Sequence, residues 1–204
     1  MLPYYSSNTI ECGLDEAGRG CIAGPVVAAA VIWPPTLSLP LLNDSKQLTE
    51  AQRFDLEPLI KAQALAWAVA EVSAAEIDEI NILQASIKAM HLAVDQIMAI
   101  GTGLVPELLL VDGNRFRPYP FLSHVCLVKG DARFLSIAAA SVLAKTHRDR
   151  LMVNLAAENP GYGWEHNMGY PTPMHKLAVA RLGFTPYHRL TFRMEIGKRV
   201  KKAN

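Results

Sequence analysis

The residues best suited to chemistry are acidic, and the first two are adjacent in the chain. Asp15 and Glu16 follow an apolar stretch that starts at Ile10, and the glycine-rich link Ala17-Gly18-Arg19-Gly20 comes next. Like charges at close range oppose each other's ionisation, so two acids at the edge of a buried sheet are costly unless a cation neutralises them. Arg19 is a suitable partner for phosphate, because the glycines on both sides allow close backbone approach. This stretch predicts half of a divalent-metal site, although a hairpin with a charged turn is the commoner reason for such a pair.

Two more acids follow other predicted elements. Asp112 ends an apolar run and precedes Gly113, as expected of an acid at the carboxyl end of a buried strand, where ligands gather in open α/β sheets. A turn that simply ends the strand is the alternative there. Asp131 stands between a short predicted strand and a long predicted helix. An aspartate at that position can cap the helix without any other function, and both roles can hold at once.

The order of predicted elements suggests how these acids are brought together. Three opening strands, followed by strands that alternate with helices, favour an α/β fold with a mixed five-stranded sheet and helices on both faces. Periodicity and capping residues place the elements. The predicted strands are two within 10–33, joined by a tight connection, then 64–72, 107–112 and 124–128, and the predicted helices are 49–61, 77–98, 132–158 and 174–182, with Thr49 and Thr172 as caps.

Size and composition narrow the class of protein. The chain has 204 residues, which suggests a single domain over 1–204, with a core at about 10–158 and a C-terminal helical extension at about 159–204. Its 20 Lys and Arg against 19 Asp and Glu give a net charge of +1, so any nucleic acid must bind to a local basic face. Its 3 cysteines lack CxxC spacing and are typical of reduced thiols, and the longest apolar run, 21–33, is too short to span a bilayer. We therefore expect a cytoplasmic protein that does not bind membranes.

Several motifs resemble those of one enzyme family. DEAGRG at 15–20, followed by GPVVAAAVI, resembles the first signature of the type 2 ribonucleases H, specifically bacterial ribonuclease HII. The resemblance runs from about residue 10 to about residue 192 and implies a ribonuclease H-like fold with a C-terminal helical extension. In that fold the first and fourth strands are neighbours, which would bring Asp15 and Asp112 together. The other motifs that are similar to this family are KGD at 129–131 with SIAAASVLAKTHRD, DSK at 44–46 and GYPTPMH at 169–175.

The resemblance implies an endoribonuclease with two related substrates. It would hydrolyse the RNA strand of RNA–DNA hybrids and nick duplex DNA on the 5′ side of a single embedded ribonucleotide, leaving 5′-phosphate and 3′-hydroxyl ends. Its roles would be ribonucleotide excision repair and DNA replication, and it would act as a monomer. Oxygen-only ligands favour Mn²⁺ or Mg²⁺ over zinc, with one ion lowering the pKa of an attacking water and the other stabilising the leaving 3′ oxygen. The catalytic and metal-binding residues implied are Asp15, Glu16, Asp112 and Asp131.

The family also implies which residues contact the substrate. The loop Gly18-Arg19-Gly20 would read the 2′-hydroxyl group that distinguishes RNA from DNA. Tyr170 would support the junction between the ribonucleotide and the deoxyribonucleotide, and His175 belongs to the same motif. Lys46 would approach a backbone phosphate.

Two departures from the family pattern are visible. Met168 stands where many relatives carry a lysine, and Leu190-Thr191 stands in the place of Arg-Ser in the family's HRRSF motif. Both weaken the expectation of backbone contacts at those positions, and neither affects the acids.

Two other classes of protein compete with a nuclease. A nucleic-acid-binding protein on the same fold could have lost catalysis, but it would gain nothing from 4 carboxylates that face phosphate. A nucleotide-binding α/β protein could use Ala17-Gly18-Arg19-Gly20 as a phosphate loop, but that string lacks the P-loop lysine and the GxGxxG spacing. The nuclease is therefore the favoured interpretation.

Overall fold

The protein is built around one sheet. The computed structural model describes residues 1–42, 45, 47–101 and 103–193. The strands are β1 (Glu11–Ala17), β2 (Val26–Ile32), β3 (Ala66–Val72), β4 (Leu108–Asp112) and β5 (Ser123–Leu127). They form a five-stranded sheet in the order β3-β2-β1-β4-β5, in which β1–β2 and β2–β3 are antiparallel while β1–β4 and β4–β5 are parallel. The predicted mixed sheet is confirmed, and so is the pairing of the first strand with the fourth.

Helices cover both faces of this sheet. Alternate residues of β2 face opposite sides, so that Val27 and Ala29 pack in one apolar cluster while Val26 and Ala28 pack in another. The first cluster includes residues of α1 and α4, and the second includes residues of α3. None of the helices in the described ranges combines the length and the apolar character that crossing a bilayer requires. The helices are α1 (Glu50–Gln63), α2 (Ala74–Ile80), α3 (Ile82–Ala99), α4 (Leu135–Glu158), α5 (Trp164–Asn167) and α6 (Pro173–Leu182).

Two helix starts follow the predicted capping residues. The hydroxyl of Thr49 accepts a hydrogen bond from the backbone N–H of Gln52 at 3.3 Å, and the Gln52 side chain accepts one from the N–H of Thr49 at 2.8 Å. This reciprocal pair is a capping box, which satisfies two N–H groups at the start of α1. The hydroxyl of Thr172 caps α6 through a single hydrogen bond, which it accepts from the N–H of His175 at 3.2 Å. Both predicted caps are confirmed.

The start of α4 differs from the prediction. The helix begins at Leu135 rather than at 132, and Asp131 lies in a separate 3-10 turn, Gly130–Ala132. The residue at the N-cap is Phe134, whose side chain makes no capping hydrogen bond. The carbonyl oxygen of Leu2 instead accepts a hydrogen bond from the N–H of Leu135 at 3.0 Å. The alternative in which Asp131 is the N-cap residue of α4 is therefore not what the structure shows, and a backbone carbonyl from the N-terminal segment meets the helix end instead.

The helix predicted over 77–98 is two helices. Asn81 separates α2 from α3 with a φ of +66° and a ψ of +162°, a backbone conformation that residues other than glycine rarely adopt. Its side-chain oxygen accepts hydrogen bonds from the N–H groups of Leu83 at 3.0 Å and Gln84 at 3.2 Å. A single asparagine therefore ends one helix and caps the next.

The C-terminal part of the chain packs against the end of α4. Trp164, in the short helix α5 that the sequence did not predict, is fully buried beside Tyr162, Met152 and Val179. Ala23, from the connection between β1 and β2, lies in the same cluster. The C-terminal residues are thereby placed next to the glycine-rich link, while the proposed division of the chain near residue 158 stays a prediction.

Candidate active site

Three aspartates meet at one end of the sheet. Asp15 and Asp112 stand at the carboxyl ends of β1 and β4, where Leu14 pairs with Val111 in the parallel register. Asp131 comes from the 3-10 turn that follows β5. One carboxylate oxygen of each aspartate lies within 4.8 Å of the others, and Asp15 and Asp131 are buried. Adjacent parallel strands end at the same edge of a sheet, which is why residues far apart in sequence gather here.

Hydrogen bonds fix this cluster from the backbone. The N–H of Gly130 donates to a carboxylate oxygen of Asp112 at 2.8 Å, so the turn that carries Asp131 is fastened to Asp112. The N–H of Glu16 donates to Asp15 at 2.7 Å, and the hydroxyl of Ser141 on α4 also bonds to Asp15. The carboxylates of Asp15 and Asp112 are therefore positioned before any ligand binds, and the turn that carries Asp131 is held next to them.

Without a cation, the close placement of these carboxylates disfavours the charged form of Asp15. Burial, reinforced by the negative charges of Glu16 and Asp112, raises the pKa of Asp15 well above its usual value. A bound cation would remove that penalty, because it favours the charged form of every carboxylate around it. The donor set is oxygen only, which suits a hard divalent ion. The residues present therefore fit the predicted metal site.

Glu16 occupies a different position from the three aspartates. It is not a member of the mutually close group, since successive strand residues face opposite sides, and its carboxylate pairs with Arg19 at 3.0 Å. It nevertheless borders a small cavity together with Asp112 and Ser86 on α3. Ser86 is buried, and its hydroxyl finds no hydrogen-bond partner among the residues that the structure describes. An unsatisfied hydroxyl beside two carboxylates suits a site for water or a hydrated ion.

A cavity of about 430 Å³ is lined by three of the four predicted acids, Asp15, Glu16 and Asp112. All of the predicted residues of the glycine-rich loop line this cavity. Tyr170 forms another part of the wall, and 42% of the surface of this tyrosine is exposed. Another predicted contact, Lys46, lies outside the described residues. The lining residues are Asp15, Glu16, Ala17, Gly18, Arg19, Gly20, Ser45, Arg53, Asp112, Ser141, Lys145 and Tyr170.

The sequence analysis did not identify a polar face of α4 that borders the cavity. Ser141, Lys145 and Asp149 recur every four residues and therefore lie on one face of the helix. The Ser141 hydroxyl is 2.7 Å from that of Ser45, while buried Asp149 pairs with Lys145 and, at 3.5 Å, with Arg53. Polar residues at helical spacing in an otherwise apolar, alanine-rich segment were the signal that could have revealed this wall of the cavity.

The loop Gly18–Gly20 rests on two buried arginine side chains. Arg189 donates to the carbonyl oxygens of Gly18 at 2.8 Å and Arg19 at 3.2 Å. Arg148 lies directly beneath Gly18, where a Cβ atom would be only 2.0 Å from its Nε. Gly18 also has a φ of +95°, so glycine is required at this position for both conformation and space.

At the position of the first departure, Met168, the backbone keeps a defined role. Its carbonyl oxygen accepts a hydrogen bond from Arg148 at 2.8 Å, and its side chain packs against the apolar cluster of Trp164. The methionine therefore contributes packing where a lysine would contribute charge.

His175 is fully buried, so its side chain does not face the cavity. Its Nδ1 lies 2.9 Å from the carbonyl oxygen of Tyr170, to which it donates, while its Nε2 accepts a hydrogen bond from the indole N–H of Trp164 at 2.9 Å. The Nε2 of His188 lies 3.2 Å from the same nitrogen, and its Nδ1 accepts from the N–H of Thr185 at 3.0 Å. These contacts require two neutral imidazoles, and they make His175 a residue that positions Tyr170 rather than one that touches a ligand.

Acid should destabilise the protein through this histidine pair. Burial and the neighbouring His175 lower the pKa of His188 to about 4 from about 6.5 in the unfolded chain, so the unfolded state takes up the proton first as pH falls. The stability from neutral His188 is complete above the unfolded pKa and is lost as pH falls towards the folded pKa. We expect its contribution to the free energy of unfolding to drop by about 2 kcal/mol between about pH 7.5 and about pH 5.

Urea unfolding at the two pH values, followed by circular dichroism, measures this drop. The variant His188→Gln keeps a polar side chain but does not titrate, so its stability should depend less on pH than that of the parent. Equal losses in the two proteins would show that His188 is not responsible.

The architecture and the acids together define a class of protein. A mixed five-stranded sheet with aspartates at the carboxyl ends of adjacent central strands is that of the ribonuclease H-like α/β enzymes. The chain is 57% identical over 190 residues to ribonuclease HII of Porphyromonas gingivalis, covering 93% of this chain and 92% of the relative. It is also similar to the crystal structure of ribonuclease H2 from Pyrococcus horikoshii, with a TM-score of 0.73, 27% identity, and coverage of 90% of this chain and 94% of that one.

A more distant structure shares the fold. The crystal structure of Bst ribonuclease HIII in complex with Mn²⁺ is 20% identical with a TM-score of 0.74, covering 89% of this chain and 66% of that one. The family model described as Ribonuclease HII matches residues 12–195. The chain therefore belongs to the ribonuclease HII family.

Family membership settles the general activity. The protein is an enzyme with ribonuclease H activity, which acts on RNA–DNA hybrids, and its family uses divalent metal ions. The competing interpretation of a non-catalytic binding protein is thereby excluded.

Proposed function

We propose that this ribonuclease H nicks duplex DNA on the 5′ side of a single embedded ribonucleotide, in addition to cutting the RNA strand of hybrids, and leaves 5′-phosphate and 3′-hydroxyl ends. Ribonucleotide excision repair and replication are the processes that need this reaction. The observation that carries the proposal is the placement of the loop Gly18–Gly20 and Tyr170 in the same cavity as Asp15, Glu16 and Asp112. The loop that would sense the ribose and the tyrosine that would sense the next sugar would thereby lie beside the reacting phosphate.

Asp15, Asp112 and Asp131 would hold divalent metal, with Glu16 completing the set on the side of Ser86. Two ions, Mn²⁺ or Mg²⁺, would supply the Lewis acidity that activates water and neutralises the leaving 3′ oxygen. The Mn²⁺ complex of the related ribonuclease HIII fold supports this choice of metal. The hydrogen bonds from Gly130 and Glu16 keep two of the carboxylates in place, so little reorganisation would accompany binding.

The loop has the geometry to recognise a 2′-hydroxyl through its backbone. The carbonyl oxygens of Gly18 and Arg19 point towards Arg189 beneath the loop. In a trans peptide the N–H points opposite to the carbonyl, so the N–H groups of Arg19 and Gly20 are directed away from Arg189. Because these residues line the cavity, their N–H groups would offer two donors for the lone pairs of a hydroxyl or for phosphate oxygens. Deoxyribose lacks this hydroxyl and would leave the donors unsatisfied.

A duplex with one labelled ribonucleotide tests the proposal. We expect a single nick on the 5′ side of that ribonucleotide when Mn²⁺ or Mg²⁺ is present, resolved on a denaturing gel. Cutting of an all-RNA hybrid strand without any nick in this duplex would refute the proposal. A nick in this duplex would show that one ribonucleotide is sufficient for cleavage and that the enzyme does not need a run of them.

Tyr170→Ala should weaken cleavage of the single-ribonucleotide duplex. A ring packed on a sugar or base is worth roughly 1–3 kcal/mol, so kcat/KM should fall by about tenfold or more. Tyr170→Phe retains the ring and is the matched control, with an expected change of less than about threefold. Equal losses in both variants would show that the hydroxyl, and not the packing of the ring, matters.

A further inference from the structure

Residues 188–191, which follow α6, bind three separate parts of the molecule. They include the second departure from the family motif, Leu190-Thr191. The backbone of this segment joins the connection between β1 and β2, since the N–H of Arg189 donates to the carbonyl oxygen of Ile22 at 2.8 Å. An isolated β-bridge links Ala23 to His188 at the same place. The segment is therefore hydrogen-bonded to the same connection that contains the glycine-rich loop.

Arg189 ties this segment to the loop that faces the cavity. Its side chain is fully buried and makes hydrogen bonds to the carbonyl oxygens of Gly18, Arg19 and, at 3.0 Å, Gly24. These contacts orient the two peptide units of the loop, as their carbonyl and N–H groups point in opposite directions. A displacement of Arg189 would consequently turn the donors away from a ribose.

The preceding residue ties the same segment to Tyr170. The imidazole of His188 contacts that of His175, which donates to the carbonyl oxygen of Tyr170 at 2.9 Å. Two adjacent residues of one segment thus hold the two elements proposed to recognise neighbouring sugars. Their separation depends on where the segment itself is fixed.

Asp78 on α2 fixes the end of the segment. Its carboxylate accepts hydrogen bonds from the N–H of Leu190 at 2.7 Å, from the N–H of Thr191 at 3.0 Å and from the Thr191 hydroxyl at 2.5 Å. The departure from the family motif is accommodated at this point. The side chain of Leu190 is 64% exposed and takes no part, whereas Thr191 provides the hydroxyl that a serine would provide.

We propose that Asp78 is a positioning residue for ribonucleotide recognition. It holds residues 190 and 191, and through Arg189 and His188 it sets the distance between the loop Gly18–Gly20 and Tyr170. This inference rests on the proposed function, because a single ribonucleotide must satisfy both elements in one register. An RNA strand carries a 2′-hydroxyl at every position, so a hybrid can be cut in other registers and tolerates a displaced loop better.

The experiment compares two substrates in the same variants. For Asp78→Ala we expect kcat/KM on the single-ribonucleotide duplex to fall by about tenfold, chiefly through KM, and on the all-RNA hybrid by less than about threefold, since small misplacements strongly affect aligned contacts. Glu79→Ala removes the same charge from the next, exposed residue of α2 and should change neither value. Thr191→Val removes the hydroxyl that contacts Asp78 and should shift the ratio of the two kcat/KM values in the same direction. Thr191→Ser keeps that hydroxyl, so its ratio should equal that of the parent.

The outcomes separate this inference from the proposed function. A parent enzyme that never nicks the single-ribonucleotide duplex overturns both. A parent that nicks it, with Asp78→Ala and Thr191→Val losing equal activity on both substrates or none, overturns the positioning role alone. Should Asp78→Ala fail to fold by circular dichroism, the Thr191→Val and Thr191→Ser pair decides, since it changes one hydroxyl at the surface.

Discussion

Replacing Asp112 with asparagine should lower the rate of hybrid cleavage by about a thousandfold or more, while the protein stays folded. The carboxylate of Asp112 lies in the mutually close group with Asp15 and Asp131, so the substitution removes a charge from the proposed metal site. Metal ions in such sites supply several kcal/mol of transition-state stabilisation, and each tenfold in rate corresponds to about 1.4 kcal/mol. Asparagine keeps an oxygen that can accept the hydrogen bond from Gly130, which preserves the local structure.

The stability of this variant gives a second readout. The charge of Asp112 helps to raise the pKa of Asp15, so its removal should bring that pKa closer to the usual value. Without metal, Asp112→Asn should therefore be at least as stable as the parent. Added Mn²⁺ should raise the melting temperature of the parent much more than that of the variant, because the variant binds the ion more weakly.

Single-turnover cleavage of a labelled hybrid and thermal unfolding, with and without a chelator, measure both effects. Asp55→Asn, on the exposed face of α1, is the matched control and should behave as the parent does. An Asp112→Asn enzyme within about tenfold of the parent rate would show that the aspartate cluster is not the metal site.

Gly13→Ala should destabilise the protein by about 3 kcal/mol, the upper part of the usual range for overpacking. A Cβ atom at Gly13 would lie 2.3 Å from the carbonyl carbon of Ser136 and 2.5 Å from the N of Ile137. Both are backbone atoms of α4, which cannot rotate aside as a side chain can. The helix would have to move away from β1, and the cluster around Asp15 and Ser141 would be displaced with it.

Urea unfolding of the metal-free protein tests this expectation. Gly20→Ala is the control for stability, since its Cβ atom would be 3.8 Å from the ring of Tyr170, an ordinary contact distance. Its free energy of unfolding should change by less than about 0.5 kcal/mol. A Gly13→Ala protein as stable as the parent would mean that α4 can shift on the sheet at little cost.

Local patterns in the sequence determined a large part of this protein. The continuous apolar runs of β2 and β4 predicted strands, because a short apolar run bounded by turn residues is typical of a strand that is buried on both faces. Thr49 and Thr172 predicted helix starts, because a cap acts within three residues of itself. The meeting of Asp15 and Asp112 was implied by the resemblance, and the parallel pairing of β1 with β4 confirmed it.

Other features were decided only by contacts between distant parts of the chain. Asp131 does not cap α4, because the carbonyl of Leu2 meets the helix end from more than 100 residues away. The buried side chain of Arg189 donates its hydrogen bonds to backbone carbonyl oxygens and to no carboxylate among the described residues. Every sequence has such carbonyl groups, so the sequence could not reveal these partners. His175 likewise holds Tyr170 from within the core, through a hydrogen bond to the backbone carbonyl oxygen of that residue. A residue type can reveal what chemistry a side chain offers, but its partners, and therefore its role, depend on which backbone groups folding brings beside it.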